Sequence, residues 1–329
     1  MASEQIGLET HLRSIIPDGT LPSLRQDILP KLLQSIEDVS KVLRNEATVS
    51  QVGTANAFGD DQLNVDVLAE KAIRSAISKC PSIVTASSEE DPVERSTSSP
   101  SSKPASENEE VYTLAFDPLD GSSIIAPNWT VGTIMGLWQS STALKQDPSK
   151  QIAAILGVLG PRTTAVVALR IPGCQATCFE VAYGSQGEIQ VVKPNIQLHE
   201  PPFKTRYFAP ANLRAAAYDQ KYMSLINHFI TQAYTLRYCG GLVPDIVHTL
   251  VKGHGVYVNP VSEKSKPKLR RLYELLPIAL IIECAGGLAA EVETGKSILS
   301  REVQDTDERG GLVCGTKEEV ELVLKMLIG

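Results

Sequence analysis

The sequence predicts an α/β protein of layered helices and sheets, built as two fused halves. Three observations predict it. Val65, Leu68, Ala69, Ala72, Ile73, Ala76 and Ile77 form an unbroken helical stripe. Between residues 111 and 192, short apolar β-branched runs follow one another across turn signals. Beyond residue 195, strand-like and helix-like segments alternate. The 329 residues suffice for one large core or two joined ones. We place the division at 1–194, the metal-binding half, and 195–329, an α/β substrate-binding half.

In chain order, Asp27 precedes a helix marked by Ile28, Leu32, Leu33, Ile36 and Val39. The stripe over 61–80 is the second helix, with Asp66, Glu70, Lys71 and Arg74 off its apolar face. Residues 83–86 read as a strand ending at Ser88-Glu89-Glu90-Asp91. Residues 92–110 hold six serines and three prolines. They lack the apolar surface that would repay ordering, so a flexible loop is expected there. Strands follow at 111–116, 130–138, 153–159 and 163–171, the last two around Gly160-Pro161-Arg162. Two more, 177–182 and 189–192, flank a turn between Gly184 and Gly187. The second half reads as strands at 205–209, 235–238 and 255–258. Its helices are 219–233, 245–252, 269–284 and 317–327, the third stopped by Gly286-Gly287.

Composition narrows the function. Lys and Arg number 31 against 38 Asp and Glu, a net charge of −7. No global basic field invites nucleic acid or an anionic membrane. No apolar run is long enough to span a bilayer. The first residues show neither a secretory signal nor an Arg- and Ser-rich transit pattern, so the expected compartment is cytoplasmic. Six scattered cysteines offer no paired zinc spacing and read as reduced core thiols.

The chemistry concentrates around Asp117-Pro118-Leu119-Asp120-Gly121-Ser122-Ser123. Two aspartates three residues apart on a tight turn can aim both carboxylates at one point. The N–H groups of Gly121, Ser122 and Ser123 can hold phosphate oxygens. The same spacing also suits a capped turn with solvated aspartates. Glu89, Glu90, Asp60, Asp61 and Asp66 add carboxylates whose convergence would require cations, and hard oxygen ligands suit magnesium. Glu274 lies among Leu272, Tyr273, Leu275, Leu276, Ile278 and Leu280, where an unpaired carboxylate is costly. Either a metal or a salt bridge to Arg270 or Arg271 satisfies it. Lys264, Lys266, Lys268, Arg270 and Arg271 form a basic stretch that is either a solvated loop or a grip on a second phosphate.

Seven segments in order carry a resemblance: 59–68, Ser88-Glu89-Glu90, 116–123, Val131-Gly132-Thr133-Ile134, Arg237-Tyr238-Cys239-Gly240-Gly241, 268–274 and Ala285-Gly286-Gly287. From about residue 50 onward the chain resembles the fructose-1,6-bisphosphatase and sedoheptulose-1,7-bisphosphatase family. The resemblance implies the sugar-phosphatase fold of alternating helix and sheet layers. It also implies a magnesium-dependent phosphoric monoester hydrolase that removes the C1 phosphate of a sugar bisphosphate.

By resemblance, Asp60, Glu89, Asp117, Asp120, Glu274 and the Leu119 carbonyl would bind two or three magnesium ions per subunit, with manganese as a substitute. Glu90 and Asp66, with Glu89, would be catalytic and prepare the attacking water. Gly121, Ser122 and Ser123 would bind the phosphate that is cleaved. Asn212, Tyr238, Lys268 and Arg270 would hold the sugar and the retained phosphate. Arg237 matches a residue that crosses from a neighbouring subunit, implying a homodimer or homotetramer. The runs 130–133, 160–164 and 235–245 are closer to the sedoheptulose branch, and Asn259-Pro260 stands where the fructose branch has Tyr-Pro. No AMP-inhibition site and no paired regulatory cysteines are recognisable. Two other readings are a lithium-sensitive inositol- or nucleotide-phosphate hydrolase and a silent binding homologue.

Overall fold

The computed structural model describes residues 6–55, 59, 61–97 and 110–329. The chain opens with Ile6–Gly7 (β1), Leu8–Ile15 (α1) and Leu29–Asn45 (α2), then Gln51–Ala55 (β2), Asp61–Leu63 (β3) and Asn64–Ile77 (α3). Next come Ile83–Ser88 (β4), Arg95–Ser96 (β5), Tyr112–Asp120 (β6), Val131–Trp138 (β7), Gln151–Leu159 (β8), Thr163–Leu169 (β9), Thr177–Tyr183 (β10) and Ile189–Lys193 (β11). The rest is Tyr207–Pro210 (β12), Gln220–Thr231 (α4), Thr235–Leu236 (β13), Leu242–Lys252 (α5), Val256–Asn259 (β14) and Leu269–Arg270 (β15). It ends with Leu276–Cys284 (α6), Leu288–Ala290 (β16), Arg309–Gly310 (β17), Leu312–Gly315 (β18) and Lys317–Leu327 (α7).

Strands β1-β11-β10-β9-β8-β7-β6-β4-β5 make one sheet, and β13-β12-β14-β18-β16 a second. Side-chain alternation builds the layers. Leu114, Phe116, Met135, Ile155 and Val167 join the core of α1, α2 and α3. Their strand neighbours Ala115, Ile134, Ala154, Leu156, Val166 and Ala168 join α5 and α6 on the opposite face. In the smaller sheet Ala209, Tyr257 and Cys314 face that same helix layer, whereas Phe208, Val256, Val258 and Val313 face α4 and α7. The result is five layers, helix–sheet–helix–sheet–helix. The α6 sequence is apolar all round because it lies between two sheets.

Several boundaries differ from those read in the sequence. The helix expected from 61 begins at Asn64, because Asp61–Leu63 pairs with β2. The Asp66 carboxylate also accepts the Leu63 N–H at 2.9 Å, capping the helix start. The 111–116 strand extends to Asp120, its register against β7 shifting between Asp117 and Asp120. The helix expected over 269–284 divides into β15, a π-helical turn Arg271–Leu275 and α6. Helix α1 and strands β16 and β18 were not legible. Within 92–110, Arg95–Ser96 pairs with β4, and residues 98–109 lie outside the described ones. Among the described residues, no helix is long and apolar enough to cross a membrane. All six cysteines are free.

Candidate active site

Three buried carboxylates, Asp117, Asp120 and Glu274, place ligand oxygens within 4.8 Å of one another. Each arrives on a different device. Asp117 closes the regular part of β6 and accepts the Leu119 N–H at 3.0 Å. Asp120 lies beyond the register shift, and Thr133 on β7 fixes the intervening loop by donating to the Pro118 carbonyl at 3.0 Å. The Asp120 carboxylate meets the start of α5, accepting N–H bonds from Leu242 (3.3 Å) and Val243 (2.7 Å). Gly132 permits this approach, because a Cβ there would lie 2.3 Å from Val243 Cβ. Glu274 sits in the π-helical turn, a local irregularity common at functional sites. It accepts the Arg270 N–H across the first turn.

The electrostatics are those of a cluster built around positive charge. Burial first, then Glu89, Asp120 and Glu274, hold the Asp117 carboxyl well above the usual carboxylate range. Burial and Glu89 do the same to Glu274. Burial raises Asp120 to about 6, with the Val243 and Leu242 amides opposing it. Three acids held this way cannot all ionise cheaply without a cation among them. An all-oxygen set of carboxylate donors suits a hard divalent ion. The donors therefore fit the metal implied by the sequence.

Glu89 borders this cluster and forms an ion pair with the buried Arg270 guanidinium. Asp66 and Glu90, the latter next to Glu89 in the chain, lie close enough to repel each other. Burial and the Glu90 charge lift Asp66 to about 6, against the Leu63 amide. Gln62 donates its side-chain amide to Glu90 at 2.5 Å. The salt bridge weighed for Glu274 does not take that form: the Arg271 guanidinium binds Glu291 at 2.7 Å, and that of Arg270 binds Glu89.

Beyond Asp120 the chain turns at Gly121, whose φ of +87° lies in the left-handed region that favours glycine. A three-residue 3₁₀ turn, Ser122–Ile124, follows, so the serines enter no long helix. A polar wall stands near the same α5 terminus. Asn212 donates its side-chain amide to the Ser265 hydroxyl, and the Tyr238 hydroxyl lies near the Asn212 backbone. Buried Tyr257 feels both Tyr238 and Asp120, tying this wall to the carboxylates. Arg237 is exposed, its guanidinium 5.6 Å from the Tyr207 ring centre. Lys268 is exposed, and Lys264 packs 4.7 Å over Tyr218. Asp60 lies outside the described residues.

A model of the fructose-1-6-bisphosphatase N-terminal domain matches residues 15–194, and one of the C-terminal domain matches 202–328. The chain belongs to the fructose-1,6-bisphosphatase family. That membership makes it a phosphoric monoester hydrolase of the sugar-bisphosphatase kind. A family member from Triticum aestivum, the chloroplastic sedoheptulose-1,7-bisphosphatase, is 37% identical, covering 95% of this chain and 74% of that one. A class 1 fructose-1,6-bisphosphatase from Syntrophotalea carbinolica is 33% identical over 97% of this chain and 92% of its own. A Toxoplasma gondii crystal structure, described as a candidate sedoheptulose-1,7 bisphosphatase, superposes with a TM-score of 0.85 at 32% identity, covering 98% of both chains. Leishmania major fructose-1,6-bisphosphatase shares the fold, with a TM-score of 0.83 at 23% identity.

Sequence reasoning missed a residue that shapes this bisphosphatase site. Buried Asp245, in the first turn of α5, accepts the N–H groups of Cys239 (2.8 Å) and Gly240 (3.2 Å). It fixes the glycine loop leading into the amides that hold Asp120. The available signal was an acid four residues after Gly241, at a helix start.

Proposed function

We propose that the chain is a magnesium-dependent bisphosphatase that hydrolyses the C1 phosphate of sedoheptulose-1,7-bisphosphate and also accepts fructose-1,6-bisphosphate. The observation that carries this reading is the buried cluster of Asp117, Asp120 and Glu274. Those three side chains, with Glu89 and the Leu119 carbonyl, would hold two or three magnesium ions or manganese in their place, and Asp60 is proposed as a further ligand. When bound, the metal supplies charge neutralisation for the phosphate and acidifies water. Glu90 and Asp66 orient the attacking water and take its proton, a role consistent with a carboxyl raised to about 6 at Asp66. Gly121, Ser122 and Ser123 receive the phosphate that leaves. Asn212, Tyr238, Lys268 and Arg270 hold the sugar and the phosphate that stays.

The preference for sedoheptulose rests on the runs around 130–133, 160–164 and 235–245, together with the names of the plant relatives. Exposed Leu236, Arg237 and Tyr238 support a homodimer or homotetramer in which Arg237 serves a neighbour's site. Six free cysteines suit a reducing compartment, and we assign the cytoplasm. Purified protein incubated with magnesium and each bisphosphate should release phosphate, and EDTA should stop it. Absence of release from both, with EDTA making no difference, would refute the proposal.

A further inference from the structure

We propose that Arg74 is a positioning residue for the metal centre, holding together the three segments that bring carboxylates to it. This inference rests on the phosphatase reading. Arg74 lies on α3, two turns beyond Asp66. Its Nε donates to Glu70 Oε1 at 2.7 Å, on its own helix. Its Nη2 faces Asp91 Oδ2 at 3.6 Å, in the corner that follows Glu89 and Glu90. Its guanidinium lies 5.4 Å from the centre of the Phe116 ring, on the residue that precedes Asp117. One planar cation thus touches α3, the β4 corner and β6.

Arg95 pairs with Asp91 from within the corner at 2.7 and 3.0 Å, Arg270 pairs with Glu89, and Gln62 binds Glu90. Arg74 ties the same corner to α3. Glu89 and Glu90 sit in a bend and not in a strand. The Asp91 N–H donates to the Ser88 hydroxyl at 2.9 Å. Glu70 is joined to the corner through Arg74. Glu70 and Glu90 repel each other, and so do Glu89 and Asp117. A cation between the helix and the corner opposes that spreading. Lysine would not replace it, because a point charge offers neither several directed N–H groups nor a flat face for Phe116.

Groups that orient metal ligands typically cost about 10–100-fold in metal affinity or activity when removed. The test is Mn²⁺ binding to metal-stripped protein, followed by electron paramagnetic resonance, alongside kcat and KM with the sugar bisphosphates. We expect Arg74→Gln to weaken Mn²⁺ binding and lower kcat, each about tenfold or more, with KM changed less than about twofold. Arg74→Lys should recover only part of the loss. Asp91→Asn, which also releases Arg95, should weaken Mn²⁺ binding in the same direction, and adding it to Arg74→Gln should cost less than the sum of the two. A folded Arg74→Gln protein with wild-type Mn²⁺ affinity would overturn the inference, as would fully additive losses in the double variant. Should Arg74→Gln fail to fold, Asp91→Asn is compared with Arg95→Gln, and Mn²⁺ binding that is unchanged in Asp91→Asn, or weakened equally in both, overturns the inference. Wild-type protein that binds Mn²⁺ yet releases no phosphate refutes the proposed function and leaves the Arg74 comparison intact.

Discussion

Glu274 shows how function and stability oppose each other at a single residue. It is buried beside Asp117 and Asp120, and its ionised form is unfavourable there unless a cation is present. Glutamine keeps an oxygen for the Arg270 N–H and removes the charge. We expect Glu274→Gln to lose about 10²-fold or more in phosphate release, in line with the loss of a metal contact. In EDTA at pH 8 the same variant should melt a degree or more higher than wild type, since ~1 kcal/mol moves a protein of this size by about 1.5 °C. An unchanged or lower melting temperature in EDTA would contradict the picture of a strained acidic cluster. The sequence exposed Glu274 because a charge among leucines and isoleucines is conspicuous. It did not expose the partners, since Arg270 and Arg271 flank it equally and only the fold sends one to Glu89 and the other to Glu291. Asp245 stood only within the 235–245 run and received no role, because that role, holding two loop amides, depends on how α5 meets β6.

At the scale of elements, the site depends on α5 pressing its first turn against β6 and β7. Gly132→Ala would place a Cβ 2.3 Å from Val243 Cβ, a rigid branch point close to the helix backbone. We expect a loss of about 1–3 kcal/mol of stability, typical of overpacking, and a fall in activity as the amides withdraw from Asp120. Denaturant titration and phosphate release check both.

The meeting of β6 and α3 also sets a pH dependence. Asp120 and Asp66 have folded values near 6, above their unfolded ones, chiefly through burial. The folded state therefore holds more protons. Stability from these groups is complete below the ordinary carboxylate range and is lost as pH rises through about 6. Without metal, melting temperature should carry this loss between about pH 4 and 7. The stabilisation by added magnesium should widen over the same interval, because ligand binding requires the ionised form. A gap between the magnesium and EDTA curves that stays constant with pH would contradict this.

Elements with strong periodicity were legible: α3 within three residues, and α7 at both ends. The segment 269–284 was misread because its apolar residues suit a helix throughout. Its start is instead held extended by pairing of Leu269 and Arg270 with Gly310 and Arg309.

At the scale of the whole molecule, the five layers bring Asp117 and Asp120 from the large sheet to Glu274 at the entry to the central helix layer. That convergence cannot be inferred from spacing, since about 150 residues separate them. The family-order motifs supplied it instead. Leu236, Arg237 and Tyr238 form an exposed run, which the proposed shared site would use. We expect Arg237→Ala to raise KM about tenfold, the loss of one charge-assisted contact, without altering oligomer size in sedimentation. An unchanged KM in an intact oligomer would remove the shared-site proposal. The measurement that bears most directly on the whole reading is phosphate release from sedoheptulose-1,7-bisphosphate as magnesium is titrated into metal-stripped protein, with Glu274→Gln beside the wild type. Release that rises with magnesium in the wild type and stays near background in the variant is the expected result. Release that is independent of magnesium, or equal in the two proteins, would contradict it.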